Sequence, residues 1–223
     1  MPQEIKTISL SLPYRLGSMN CYLVATGAGY VLIDTGCSNR RAELVEELES
    51  AGCTPGRLDL VVLTHGDFDH AGNAAYLRER FGTKVAMHRD DSGMVELGDM
   101  FCNRQKASIF IRVMNPMLPA LFGFGESERF QPDVFIEDGR NLSEYGLDAQ
   151  VLHIPGHSPG SVGILTAGGD LFCGDLLNST GKPALNSIID DLAAANASVA
   201  RLRSLGVNTV YPGHGRPFSM EEL

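Results

Sequence analysis

The chain has 223 residues, 43% of them apolar, enough for one large domain with a real core. Its formal net charge is −9, and 18 Lys and Arg lie scattered among 27 Asp and Glu, so no basic stripe exists to neutralise phosphates and a nucleic-acid partner is argued against. The start, Met-Pro-Gln-Glu-Ile-Lys, lacks a signal-peptide pattern, and the most apolar stretch, 107–122, is broken by Arg112, Asn115, Pro116 and Pro119. A cytoplasmic protein without membrane association is therefore expected. Its five cysteines (21, 37, 53, 102 and 173) form no CxxC pair and read as reduced, buried thiols.

Residues 5–12 alternate apolar and polar, and strand character repeats at 20–26 and 30–33 around Gly27-Ala28-Gly29, which predicts an antiparallel opening. Ser38 is placed to cap a helix over about 39–51, with Ala42, Val45 and Leu48 at helical spacing and Gly52 beyond its end. A strand at 58–63 leads into a loop, a helix over about 73–81 closes at Gly82, and 84–87 reads as a short strand.

The stretch 89–131 is different. It holds Met94, Met100, Met114 and Met117 with Phe101, Phe110, Phe122 and Phe124, without a clean period. It reads as an insertion over the core: a lid packed for stability, a substrate-facing wall, or a homodimer contact. Strands return at 133–136, 147–154, 161–165 and 170–173. A helix over about 187–205 presents Ile188, Leu192, Ala195, Val199 and Leu202 on one face, and 207–211 is the last strand. Sheet and helix thus alternate twice with no linker, which predicts one domain, 1–223, of two packed sheets flanked by helices.

Chemistry concentrates at strand ends. Thr64-His65-Gly66-Asp67-Phe68-Asp69-His70-Ala71-Gly72 follows the apolar strand at 58–63 and crowds four potential ligands into six positions. Such charged groups at the end of a core strand need partners or a metal. Three more strands end in Gly-rich turns that carry ligand types: Pro155-Gly156-His157, Gly174-Asp175 and Pro212-Gly213-His214. Four of the six histidines lie in these turns or the first loop. Any one of these residues alone reads as a capped turn; the set points to a metal.

The series His65-x-Asp67-x-Asp69-His70, then His157, Asp175 and His214, resembles the metallo-β-lactamase fold superfamily, close to its glyoxalase II-like hydrolases. Asp34-Thr35-Gly36 and the Pro-Gly-His-Ser-Pro-Gly-Ser turn match further markers of that family, and the likeness spans residues 20–215. It implies an α/β fold, an αββα sandwich of two mixed sheets flanked by helices. It also implies two divalent ions: His65, Asp67 and His157 at a first position, Asp69, His70 and His214 at a second, and Asp175 bridging. Two such ions ~3.5–4 Å apart share a hydroxide and polarise a substrate oxygen. The expected function is hydrolysis by a metal-bound hydroxide of a small ester, thioester or related small-molecule substrate, with Asp69 as the catalytic carboxylate that orients the hydroxide.

Asp67 departs from the family, which usually has histidine there. A carboxylate is harder and charged and favours iron or manganese more than the usual set does, although zinc remains the expectation. The alternatives are a non-haem iron oxidoreductase with a persulfide dioxygenase-like or flavodiiron-like site, and a metal-binding domain without turnover. Another reading leaves Asp67 outside the ligand set, with a weaker first position. Asp34 is expected to order the turn beside the site by hydrogen bonding. His88 is read as lining the pocket or as a surface residue, and His153 as a satisfied imidazole in its strand. Gly156-His157-Ser158-Pro159-Gly160 mimics a serine-hydrolase elbow, but Pro159 lacks the N–H that an oxyanion hole needs, so Ser158 is a turn residue near the site. Cys37 and Cys173 read as space-filling thiols near the site, with redox reactivity as the alternative.

Overall fold

Ile8 and Leu10 are buried while Thr7, Ser9 and Ser11 are exposed, as expected of a strand with one face on a core. The computed structural model describes residues 4–104 and 117–223. Strands β1 (Ile5–Ser11), β2 (Ser18–Ala25), β3 (Tyr30–Ile33), β4 (Leu58–Val62), β5 (Lys84–Met87) and β6 (Val134–Phe135) form a first sheet in that spatial order. The second sheet draws on β7 (Ala149–His153), β8 (Val162–Thr166), β9 (Asp170–Gly174), β12 (Thr209–Pro212) and β13 (Phe218–Ser219), in the order β13-β12-β9-β8-β7. A two-stranded ribbon, β10 (Leu177–Asn178) with β11 (Ala184–Leu185), lies between β9 and β12 in the chain.

Both sheets are mixed and share one plan. β1-β2-β3-β4 pair antiparallel, antiparallel, parallel, and β7-β8-β9-β12 do the same. As a result β3 and β4, like β7, β9 and β12, each deliver their C-terminal ends to a common edge of their own sheet.

Tyr22, Val24, Ile33 and Val62 of the first sheet meet Val151, Val162, Ile164 and Phe172 of the second in a buried middle layer. Outside the first sheet, helices α1 (Arg41–Ser50) and α3 (Ala74–Phe81) bury Leu44, Leu48, Leu77 and Phe81 against Leu10, Leu23 and Leu32. Outside the second, helix α6 (Leu192–Ser204) buries Ala195 and Leu202 against Leu152, Leu171 and Val210. Helix, sheet, sheet, helix is the αββα sandwich that the resemblance implies.

Local differences from the sequence reading have physical causes. The loop after β4 contains a helical turn, α2 (Phe68–Ala71). Ser38 does not cap α1; its hydroxyl donates to the carbonyl of Gly123 instead, and α1 starts at Arg41 after a 3-10 turn. The last long helix starts at Leu192, not near 187, because the Asp191 carboxylate accepts from the N–H groups of Ala193 and Ala194 and caps it there. Ile188 lies outside that helix and is 65% exposed.

Within 89–131, α4 (Arg89–Leu97) buries Met94 and Val95, and α5 (Leu118–Phe122) precedes the fully buried Phe124. Phe124 stacks on Phe68 of α2, with centroids 4.3 Å apart and planes 10° from parallel. Phe110 and Met114 lie outside the described residues. No helix among the described residues is long and apolar enough to cross a membrane.

Candidate metal centre

Five strand ends supply the site. Asp34 follows β3, the His65–His70 segment follows β4, His157 follows β7, Asp175 follows β9 and His214 follows β12. Cross-sheet hydrogen bonds fix the two sheets' edges against each other. Val162 N–H donates to Thr64 O at 2.8 Å, Asn20 N–H donates to Gly213 O at 2.8 Å, and Tyr22 Oη donates to Pro212 O at 2.6 Å. A side chain at Gly213 would collide with Asp175 and His70, so glycine permits the close approach of this turn.

Asp34 adopts a left-handed φ of 59°, uncommon outside glycine but tolerated by aspartate. That turn brings its carboxylate under the β4 exit. Oδ1 accepts from Thr64 N–H, and Oδ2 accepts from Thr64 Oγ1 and from His70 Nδ1, each at 2.8 Å.

The four histidines are oriented in one sense. His70 Nδ1 faces a carboxylate oxygen that can only accept, so it carries the proton. His157 Nδ1 donates to Ile188 O at 2.7 Å and His214 Nδ1 to Ser18 O at 2.8 Å. Thr64 Oγ1 has spent its proton on Asp34, so it accepts from His65 Nδ1 at 2.9 Å. Every Nε2 lone pair is thereby aimed into one space, the arrangement by which a supporting hydrogen bond prepares an imidazole for a metal.

Those atoms converge in two adjoining groups. Ligand atoms of His65, His157 and Asp175 lie within 4.8 Å of one another, as do those of Asp69, His70 and His214. Asp175 reaches both groups, with Oδ1 3.4 Å from His70 Nε2 and Oδ2 3.3 Å from His214 Nε2. The His65 and His70 rings are 4.1 Å apart, so the groups are neighbours. His65 Nε2, His70 Nε2 and Asp175 Oδ1 are buried with no hydrogen-bond partner among the described residues. Buried polar atoms are costly unless paired, and a bound cation would satisfy all three at once. The residues therefore fit a pair of divalent ions.

Charge follows the same geometry. Burial pushes the His70 imidazole down, but Asp34, Asp175 and Asp69 outweigh it and hold it well above its usual value. Burial opposes the shift of His214 too, yet Asp175 beside it raises that imidazole to about 9. Asp175 sits well below the carboxylate range because His214 and His70 outweigh its burial. His65 goes the other way, lowered by burial and by the neighbouring His70. A positive charge is favoured at His70 and His214, where the carboxylates outweigh burial, and not at His65, where burial wins.

The family model of the metallo-beta-lactamase superfamily matches residues 14–214. The chain belongs to the metallo-β-lactamase superfamily. It is 27% identical over 242 residues to the probable metallo-hydrolase YqjP of Bacillus subtilis, covering 97% of this chain and 73% of that one. It is 27% identical over 211 residues to the hydroxyacylglutathione hydrolase GloC of Haemophilus influenzae, covering 92% and 89%. Among solved structures, TTHA1623 in a di-iron-bound form is 30% identical, covers 96% of each chain and superposes with a TM-score of 0.71. The chain is a metallo-hydrolase of that superfamily.

The first position has a cationic neighbour. Arg104, which sequence reading did not single out, lies against it. Its Nη2 donates to Asp67 Oδ1 at 2.7 Å and to His157 Nε2 at 3.2 Å. Asp67 Oδ2 stands 3.1 Å from His157 Nε2 and 3.6 Å from His65 Nε2. Although Asp67 is the N-cap residue of α2, its side chain makes no capping hydrogen bond. Despite full burial its carboxyl is held well below the usual range, first of all by Arg104. The signal in the sequence was indirect: a buried carboxylate in place of histidine calls for a counter-charge.

Asp91 of α4 is the other residue missed. Buried, it accepts from Ser158 Oγ at 2.5 Å and Gly160 N–H at 2.7 Å, which pins the turn bearing His157. Ser158 is thus a buried turn residue, its Oγ also 2.7 Å from that of Ser161. His88 caps α4, with Nδ1 accepting from Asp90 N–H, and stacks on His153 at 4.4 Å. His88 groups with Asp90 and His153 rather than with either of the two ligand groups above, and His153 Nε2 donates to Pro159 O. Cys37 and Cys173 are buried, and burial first of all pushes each thiol up to about 12, which leaves them protonated and inert near neutral pH.

Proposed function

We propose that the chain is a cytoplasmic hydrolase of a small thioester or ester that works with divalent ions held by His65, Asp67, Asp69, His70, His157, Asp175 and His214. The observation that carries this is the convergence of four Nε2 lone pairs and the shared Asp175 on one space, with three of those atoms buried and unpaired among the described residues. Bound there, divalent ions lower the pKa of water toward neutrality and polarise an acyl oxygen.

The chain's own groups do the rest. Asp34 fixes the tautomer and aim of His70, Ile188 O that of His157, and Ser18 O that of His214. Asp69 sits at the open side, its Oδ2 3.5 Å from His214 Nε2, where it can accept a proton from an attacking water and hold it in line with the acyl carbon. His65, His157 and Asp67 form the closed floor. The 89–131 insertion of this single domain would wall the pocket. A hydroxyacylglutathione hydrolase among the relatives supports an acyl substrate.

Zinc is the ion we carry in this reading. Iron is the second reading, favoured by the Asp67 carboxylate and by the di-iron-bound relative. Metal analysis of protein purified without added metal, followed by turnover of thioesters, lactones and phosphoesters, separates them. Zinc with thioester or ester turnover supports the first reading. Iron with oxygen uptake on adding a persulfide, and no hydrolysis, replaces it with an oxidoreductase.

A further inference from the structure

The two ligand groups differ in one charge. At the second position stand carboxylates and imidazoles, Asp69, His70, His214 and Asp175, with Asp34 behind His70 and the neutral amide of Asn186 donating to Asp175 Oδ2 at 3.2 Å. At the first position a guanidinium intrudes. Arg104 Nη2 takes the hydrogen bond of His157 Nε2, the lone pair that an ion at this position would need. Because His157 Nδ1 is committed to Ile188 O, the ring has no second lone pair to offer. Arg104 also holds Asp67 Oδ1, the anionic ligand candidate of the same group.

Arginine cannot escape this conflict by losing its proton, and it has no acceptor with which to become a ligand. Both partners are nearly closed to water, Asp67 at 6% exposed and Arg104 at 8%. Little solvent screens a cation placed beside the guanidinium, and like charges at such range oppose one another. Among the described residues both hydrogen bonds of the guanidinium run through Nη2, while Nε has no partner. The described hydrogen bonds of the pair thus run through one nitrogen, and the charges of Asp67, Asp91 and Asp190 favour the guanidinium there.

We propose that Arg104 sets ion occupancy: it holds Asp67 and His157 so that the chain loads one divalent ion tightly at Asp69, His70, His214 and Asp175, and a second only when Arg104 gives way. The inference rests on the metal-dependent reading above and adds an order of filling to it. Arg104 is a positioning residue here, acting on the ligands Asp67 and His157.

The test is a titration of metal-stripped full-length chain with Co(II), followed by calorimetry and by the visible absorption of the bound ion. Wild type should take up one ion per chain, then a second ~10–100-fold more weakly, the range over which residues supporting a ligand set metal affinity. Arg104→Met should bring the second step close to the first, and Arg104→Lys, which keeps the charge, should stay graded. Two equal steps in wild type would overturn the inference while leaving the metal-dependent reading intact. So would a graded wild type whose steps are unchanged in a folded Arg104→Met. A wild-type chain that binds no ion would overturn both.

Discussion

Asp34 and His70, 36 residues apart, are joined by a 2.8 Å hydrogen bond from His70 Nδ1 to Asp34 Oδ2. The same carboxylate receives Thr64 N–H and Thr64 Oγ1, so one aspartate in a left-handed turn orients His70 directly and His65 through Thr64. Both imidazoles are thereby aimed by a residue that belongs to neither ligand group.

Asp34→Asn tests this coupling. Asparagine tolerates the same backbone but presents a neutral amide, so the fold should survive with a loss of about 1–3 kcal/mol for the weakened hydrogen bonds. Metal affinity should drop by ~10–100-fold. Chemical denaturation and a metal titration measure the two effects; unchanged affinity would show that Asp34 does not set the aim of the histidines.

Asp175→Ala should remove metal and activity together, because this carboxylate reaches His70 and His214 and groups with His65 and His157. Elemental analysis alongside turnover is the check. Full metal content in the variant would contradict a bridging role.

The pH dependence has a definite sign. Without an ion, His214 titrates near 9, above the ~6.5 of an unfolded histidine. A raised folded pKa contributes stability that is complete below ~6.5 and is lost as pH rises toward 9. His65 is shifted downward, so its own window lies below ~6.5 and does not overlap. The metal-free chain should therefore lose thermal stability between those limits. Over the same interval metal affinity should rise, because the ion replaces the proton on His214. Melting curves of stripped protein and calorimetry in buffers of different ionisation enthalpy read both trends. Metal binding with no proton release near pH 8 would contradict the assignment of His214.

Phe124→Ala probes the support under α2. Phe124 is fully buried and stacked on Phe68, one residue before Asp69. Truncation should cost about 3–5 kcal/mol. Metal retention should fall as well, since α2 carries Asp69 and His70. Denaturant midpoints compared with metal content test whether the insertion braces the site; a destabilised chain with undiminished metal affinity would confine Phe124 to the outer core.

Much of this was legible from residues alone, for local reasons. An apolar strand that ends in glycine and a ligand type announces itself within about ten positions, and His65, Asp69, His70, His157, Asp175 and His214 all stand in such runs. Asp34 was legible in the same way, after Tyr30–Ile33. Arg104 and Asp91 were not, because each acts on a partner far along the chain, Asp67 at 37 positions and Ser158 at 67. No periodicity encodes such a pairing. The false helix start near 187 shows the opposite error: Ile188 continues the apolar spacing of the helix, but the Asp191 cap ends its reach. Ser38 failed as a cap because Gly123, 85 positions away, takes its hydroxyl.

Hydrolysis rate against metal content, across one preparation that is chelated and then reloaded in steps with zinc, tests the central claim most directly. Thioester or ester turnover should vanish in the stripped chain and return with the added ion, and Asp175→Ala should recover none of it. Hydrolysis that persists undiminished after the metal is gone would contradict the account.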